Sequence, residues 1–199
     1  MTDCNPVGTP MAPGLKLDKT MGPKTAEDVS YMQSVPYLSA IGSLQYLATM
    51  TRPDIAYAVS FLGRFNNNPG PQHWAAVKHL FRYLQGTKDY RLHYSGSTAS
   101  LTFSTYSDAA HGDCIDSGRS TGGYLTTMGG GAVGWSSKLQ TVVALSSTEA
   151  EFMAAVEAGK EIMWMRNILG EFGYMVLKPA QKDVDWSPPS QSTELSVVV

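Results

Sequence analysis

The order of the segments after residue 100 constrains the fold of this chain more than any other feature. Residues 101–107 alternate apolar and polar side chains, which predicts a half-buried strand. Residues 121–128 and 132–137 predict two further strands, and the three glycines at 129–131 predict a flexible hairpin turn between them.

A long helix is predicted to follow these strands. Ser146 and Glu149 have the spacing of a capping box, in which each residue satisfies a backbone group of the other. We expect the helix to run from there to about Phe172, before Gly173. Three antiparallel strands followed by a helix that packs on them predict an α+β domain.

The first half of the chain has a helical pattern. Ser34 can cap a helix whose apolar residues recur at helical spacing, and the step at 51–54 ends it. A second helix is predicted from about Ile55, a third at 72–85 and a strand at 90–94. The expected organisation is an extended arm or linker at 1–33, a helical unit at 34–96, the α+β domain at 99–176 and a tail without regular structure at 177–199.

Composition excludes several classes of protein. The net charge is −2, so any binding of nucleic acid must come from local basic patches. No long apolar run predicts a membrane span, and no apolar leader follows a basic N-terminus. Two cysteines cannot build a disulfide framework, so we expect an intracellular protein, cytoplasmic or nuclear.

Two carboxylates are candidates for a metal site. Asp108 is predicted to leave the first strand, where it is either a metal ligand or a turn residue. Glu149 and Glu151 project about 200° apart on a helix and cannot share one site. Glu149 has the capping position, so Glu151, above several alanines, is the better candidate; its alternative is a solvated helix carboxylate.

Several ordered motifs resemble a known family. They include Tyr106-Ser107-Asp108-Ala109 and three more segments of the second half at 118–124, 135–138 and 144–152, with others upstream at 8–11, 37–47, 51–59 and 78–87. Together they resemble the Pol polyprotein of copia-type LTR retrotransposons. The match covers the C-terminal end of the reverse transcriptase, its connection and the RNase H domain.

The resemblance implies an RNase H-like fold, with a mixed sheet whose first three strands are antiparallel. It implies a Mg²⁺-dependent nuclease, with Mn²⁺ as a substitute, that cuts the RNA strand of an RNA–DNA hybrid by two-metal catalysis. The catalytic and metal-binding residues would be Asp108, Glu151 and Asp185, and the remainder of Pol would be a partner. The Asp pair of the polymerase is not in this sequence, so we do not expect polymerisation.

Three departures from the family pattern lead us to expect impaired activity. Ala110 replaces the second acid of the usual Asp-Ala-Asp. Asp185 is followed by Trp186-Ser187-Pro188-Pro189, which is a poor start for a helix. The chain also ends before the last part of the family domain, so we expect a truncated, unstable sheet.

The phosphates of a hybrid would be contacted by basic residues. The candidates are Lys78, Arg82, Arg119 and Lys138, each of which could instead be a solvated surface cation. Three hypotheses stay open: a hybrid nuclease, a non-catalytic transposon relic that retains hybrid or protein binding, and a small interaction module.

Overall fold

The chain forms two compact units, Met1–Arg91 and Leu92–Val199. The structure is a computed structural model that describes residues 4–95 and 102–174 and the backbone of residues 195–198. No helix among the described residues is long and apolar enough to cross a membrane.

The first unit is helical. Its helices are α1 (Ala26–Gln33), α2 (Tyr37–Met50), α3 (Ala56–Gly63) and α4 (Pro71–Gly86). Two short 3-10 turns, Lys19–Met21 and Pro53–Ile55, precede α1 and α3. The apolar residues that recur at helical spacing in the sequence are the ones that pack between the helices, including Ile41, Leu44, Val59, Leu62 and Leu80.

A buried histidine holds the start of α4 against the 3-10 turn. The Nδ1 atom of His73 accepts a hydrogen bond from the Gly70 amide at 2.8 Å, and its Nε2 lies 3.1 Å from the Asp18 carbonyl oxygen. The chains approach so closely that a Cβ on Gly70 would lie 1.8 Å from the Met21 carbonyl oxygen. Only glycine fits at position 70.

The N-terminal 33 residues differ from the extended arm that we expected. Thr25 and Asp28 form a capping box, and α1 follows directly. Leu17 is buried in the core of the unit. The Thr-x-x-Asp spacing was present in the sequence, but the many prolines and glycines around it concealed the signal.

Arg52 is buried where α2 gives way to the second 3-10 turn. Its guanidinium pairs with the Asp54 carboxylate at 2.7 Å and donates to the Thr87 carbonyl oxygen at 3.1 Å. The Tyr83 hydroxyl donates to Asp54 at 2.8 Å. This network ties the α2–α3 junction to the end of α4. Burial raises the pKa of Asp54, but the bonds from Arg52 and Tyr83 outweigh it and hold that pKa below its usual value.

The second unit contains the predicted strands and helix. Its elements are β1 (Phe103–Ala110), β2 (Thr121–Met128), β3 (Gly131–Leu139), α5 (Ser147–Glu171) and β4 (Leu195–Val198). The sheet order is β3-β2-β1-β4, and each of its pairs is antiparallel. The α+β prediction is confirmed, and Gly129 and Gly130 have positive φ at the hairpin turn, as expected.

Four details differ from the expectations. Asp108 lies within β1 and not after it, because β1 pairs with β2 as far as Ala110. Residues 90–94 form no strand; Tyr94 instead donates from its hydroxyl to the Ala132 carbonyl oxygen at 2.7 Å.

Residues 195–198 form β4, although no regular structure was expected after 177. Because β4 is antiparallel to β1, the described strands lack the parallel pair that a mixed sheet requires.

The acid sensitivity of the first unit should depend on Asp54. Because the folded-state pKa of Asp54 is lowered, its contribution is present above the unfolded value of about 3.9 and is lost as pH falls through the folded value. Asp54 keeps 31% of its side chain exposed, so water screens the pair. We expect Asp54→Asn to cost about 1–2 kcal/mol at pH 7.

Amide hydrogen exchange of residues 41–62, followed as a function of pH, would report the stability of the first unit alone. The difference between the wild type and Asp54→Asn should shrink as the pH falls from about 4 to 2. Asp89→Asn, on an exposed carboxylate of the same unit, is the control. A loss of stability in Asp54→Asn that is equal at every pH would contradict this role of Asp54.

Candidate functional site

The position of α5 on the sheet is set by small residues. Ala150, Ala154 and Ala158 are buried along one side of the helix. A Cβ on Gly122 of β2 would lie 3.4 Å from the Ala154 Cβ, which places Ala154 of α5 over Gly122. Towards its C-terminal end, α5 packs with Met165 and Leu169 against Phe103 of β1.

Asp108 lies on the face of the sheet that α5 does not cover. Its partner across the β1–β2 ladder is Gly123, whereas Ala109 pairs with Gly122 below α5. Since side chains alternate between the faces of a strand, Asp108 points away from the helix. The exposure of Tyr106, Asp108 and Ala110 follows the same alternation.

The first two glutamates of α5, Glu149 and Glu151, have different environments. The Ser146 hydroxyl accepts from the Glu149 amide at 3.1 Å, and the Glu149 carboxylate accepts from the Leu145 amide at 2.7 Å. Glu149 therefore has the structural role that its spacing predicted. Glu151 is half-buried and is not engaged in this cap.

Asp108 and Glu151 occur at the same end of the sheet. Ala154 lies over Gly122, which pairs with the residue after Asp108, and Glu151 is less than one turn before Ala154. On the helix, Glu151 is about 180° from Lys160, which lines a groove beside β3. Glu151 is therefore on the flank nearer β1.

Among the described residues, no strand pairs with the end of β1 beside Asp108. The strand β4 pairs with residues 104–107 of β1 and leaves its last three residues without a described neighbour on that side. Carboxylates from the two faces of the sheet could approach one ion only around this end of the strand. Their convergence stays a prediction.

The other acids predicted for the site do not extend it. Asp185 lies outside the described residues. Ala110 occupies the last position of β1, where it supplies no ligand. Within the described parts of the chain, no group of three or more His, Cys, Asp or Glu side chains is arranged to hold a metal ion.

The four predicted basic contacts occur in both units. In the first, Lys78 is exposed on α4, and the Arg82 guanidinium donates to the Asn5 carbonyl oxygen at 2.7 Å. In the second, Arg119 is half-buried in the loop before β2, and Lys138 is exposed near the end of β3. Their role in binding phosphate stays a prediction.

A groove that the sequence did not predict runs between α5 and the β2–β3 hairpin. Its volume is about 460 Å³. The Tyr124 hydroxyl donates to the Glu161 carboxylate across it at 3.3 Å. Burial, followed by the proximity of Glu161, raises the pKa of Tyr124. The groove depends on where α5 crosses the sheet, which residue spacing alone does not determine.

Comparison with known proteins relates the chain to transposon Pol polyproteins. The chain is 48% identical over 195 residues to "Retrovirus-related Pol polyprotein from transposon TNT 1-94" of Nicotiana tabacum, which covers 96% of this chain and 14% of that protein. It is 39% identical over 180 residues to the corresponding polyprotein from transposon RE2 of Arabidopsis thaliana, covering 90% of this chain and 12% of that one. These similarities indicate a segment of a retrotransposon Pol polyprotein.

A third relative has a name of a different kind. "Secreted RxLR effector protein 161" of Plasmopara viticola is 50% identical over 135 residues, which are 67% of this chain and 94% of that protein. No family model matches the chain. No solved structure matches it either. Because the chain spans only about an eighth of the Pol polyproteins above, it corresponds to a small part of them.

Stability should separate the structural residues of this Pol segment from the candidate ligands. Ser146→Ala removes the N-cap of α5 and should cost about 1 kcal/mol. Asp108→Asn and Glu151→Gln should each change stability by less than about 0.5 kcal/mol, because neither carboxylate supports the fold. Hydrogen exchange of residues 147–171 measures all three. A loss for Asp108→Asn as large as that for Ser146→Ala would show a structural role for Asp108.

Proposed function

We propose that the second unit is an RNase H-like domain of a copia-type Pol polyprotein whose nuclease activity is impaired. Asp108 and Glu151 are the acids that would hold Mg²⁺, or Mn²⁺, beside the end of β1. The observation that carries the proposal is their placement at one end of the sheet, Asp108 on a central strand and Glu151 on the flank of α5 nearer that strand.

The donor set suits a hard divalent cation but is small. Carboxylate oxygens are the ligands that Mg²⁺ prefers, and the ion keeps several waters. When bound, the metal supplies an activated water and stabilises the leaving oxygen of a phosphodiester. Asp108 and Glu151 would hold and orient it, but two carboxylates are fewer than a two-metal site uses. Weak affinity for the metal follows.

The substrate of the proposed reaction is an RNA–DNA hybrid. Water would attack a phosphorus atom of the RNA strand and the bond to the 3′ oxygen would break. The attacking water would lose a proton to solvent, and the leaving 3′ oxygen would take one up from solvent. The products would be a 5′ phosphate and a 3′ hydroxyl. Arg119 and Lys138 are the phosphate contacts proposed for this unit, and Lys78 and Arg82 those for the first unit. The rest of Pol would be the partner in the parent element.

The non-catalytic alternative rests on a specific observation. Asp108 projects from the face opposite α5, so the two carboxylates meet only around the end of β1. Ala110, which shares the face of Asp108, supplies no second acid there. These features favour retention of hybrid binding over rapid cleavage.

Cleavage of a labelled 20-base-pair RNA–DNA hybrid by the full chain tests the proposal. In 5 mM Mg²⁺ we expect binding that weakens steeply with salt and only trace cleavage of the RNA strand. Asp108→Asn and Glu151→Gln should remove the trace product, while Glu171→Gln, on an exposed glutamate of the same helix, should leave it.

The outcomes separate the two parts of the proposal. Rapid cleavage that Asp108→Asn abolishes would contradict the impairment. Cleavage that neither Asp108→Asn nor Glu151→Gln reduces would contradict the site. Failure of the hybrid to bind even at 20 mM NaCl would contradict the substrate.

A further inference from the structure

The first unit contains a long stretch of sequence without charge. Residues 29–51 include no Asp, Glu, Lys or Arg, although such residues make up 16% of the chain. The helix α2 lies wholly within this stretch. A helix side that faces water usually carries charged residues, whereas the centre of a protein interface is depleted in them. The composition of α2 is therefore that of a helix covered on both sides.

The side of α2 that faces away from the core is nevertheless exposed. The helix residues buried in the core are Tyr37, Ile41, Leu44 and Ala48. On the opposite side, Leu38 is 65% exposed, Tyr46 is 70% exposed and Met50 is 54% exposed. Together with Gly42 they recur every four residues, so they form one ridge along the helix, which we call the α2 ridge.

Polar side chains beside the α2 ridge find partners within the helix itself. The Ser43 hydroxyl donates to the Ser39 carbonyl oxygen at 3.1 Å, and the Thr49 hydroxyl donates to the Gln45 carbonyl oxygen at 2.9 Å. The Gln45 side-chain amide donates to the Thr49 hydroxyl at 3.3 Å. Because these donors are already engaged, a partner could cover them without leaving them unpaired.

The α2 ridge has a notch next to its largest side chain. A Cβ on Gly42 would have no described side chain within 4 Å beyond its two neighbours in the chain, so the space above it is open. Tyr46 follows one turn later and projects into solvent. A notch beside a projecting ring is complementary to a surface that has the same two features in the reverse order.

We propose that α2 is a homodimer interface, in which the α2 helices of two copies pack antiparallel about a two-fold axis between Gly42 and Tyr46. This axis places Tyr46 of each copy over Gly42 of the other, and Leu38 beside Met50. A two-fold axis brings the same patch of both copies together. Ridges of residues four apart give the commonest packing of two helices, with axes inclined by about 50°.

A second copy matches the α2 ridge in charge as well as in shape. A charged partner would lose water from its charges against this surface without gaining an ion pair, which costs free energy. The second copy brings no such charge. The first charged residues after α2 are Arg52 and Asp54, and they pair with each other at 2.7 Å.

The size of the contact predicts a weak dimer. The helix has 14 residues and is about 21 Å long. A contact limited to one such helix is smaller than the roughly 800 Å² per partner of a standard interface, so we expect a Kd on the order of 10–100 μM.

Sedimentation equilibrium of the full chain between about 5 and 500 μM tests the proposal across that range of Kd. Tyr46→Lys should raise the Kd at least about tenfold, because it would bury an ammonium group without a counterpart. Gly42→Tyr should do the same by filling the notch. The matched controls are Tyr174→Lys, on an exposed tyrosine of the second unit, and Gly159→Tyr, on an α5 glycine with open space above it. Both should leave the Kd unchanged.

An exchange of the two residues tests the antiparallel pairing itself. In Gly42→Tyr/Tyr46→Gly, the ring of each copy again faces the notch of the other, so the Kd should return to within about threefold of the wild type. The single variant Tyr46→Gly should stay at least about tenfold weaker, because it lacks the ring. Circular dichroism of each variant checks that the helices are retained.

Three results would overturn the proposal. A chain that stays monomeric over the whole range would leave the α2 ridge to another partner, such as the rest of Pol. Association that Tyr46→Lys and Gly42→Tyr leave unchanged would place the contact elsewhere on the chain. Failure of the exchanged variant to associate, with its helices intact, would exclude the pairing of Tyr46 with Gly42.

Discussion

The packing of α5 on β1 and β2 is the interaction on which the second unit depends. Ala154 lies over Gly122 of β2, and Met165 and Leu169 pack against Phe103 of β1. The position of α5 determines the flank on which Glu151 lies. It also determines the groove between α5 and the β2–β3 hairpin. The register of β1 on β2 then determines which face Asp108 occupies.

The sequence was sufficient where local chemistry decides structure. The bounds of β2 were predicted at 121–128 and are observed there, because glycines at 129 and 130 supply the turn. The start of α5 followed from its cap at Ser146. In contrast, α1 was missed although its capping box was present, because the surrounding prolines and glycines favoured a linker.

Long-range pairing limited the rest of the prediction. Asp108 was placed after β1 because alternation becomes hard to read at Ala109 and Ala110, whereas pairing with β2 extends the strand. The pairing of β4 with β1 joins residues about ninety positions apart, which no local pattern indicates. The helical phase of Glu151 was predictable, but the face of Asp108 depended on the register.

The similarity to Pol polyproteins and the geometry of the candidate site support different statements. The similarity covers nearly the whole of this chain but a small part of each Pol polyprotein. It therefore identifies the relationship, and the activity is argued from the residues. We propose that the two carboxylates hold a hard cation, and their small number is the reason that we expect weak binding of the metal.

Paramagnetic broadening by Mn²⁺ tests this central claim most directly. In a ¹⁵N-labelled full chain, Mn²⁺ at a site shared by Asp108 and Glu151 should broaden the amides at 107–111 and 149–153 before others. Asp108→Asn or Glu151→Gln should abolish that pattern, whereas Glu171→Gln should preserve it. Broadening centred elsewhere, or unchanged in both variants, would contradict the shared site.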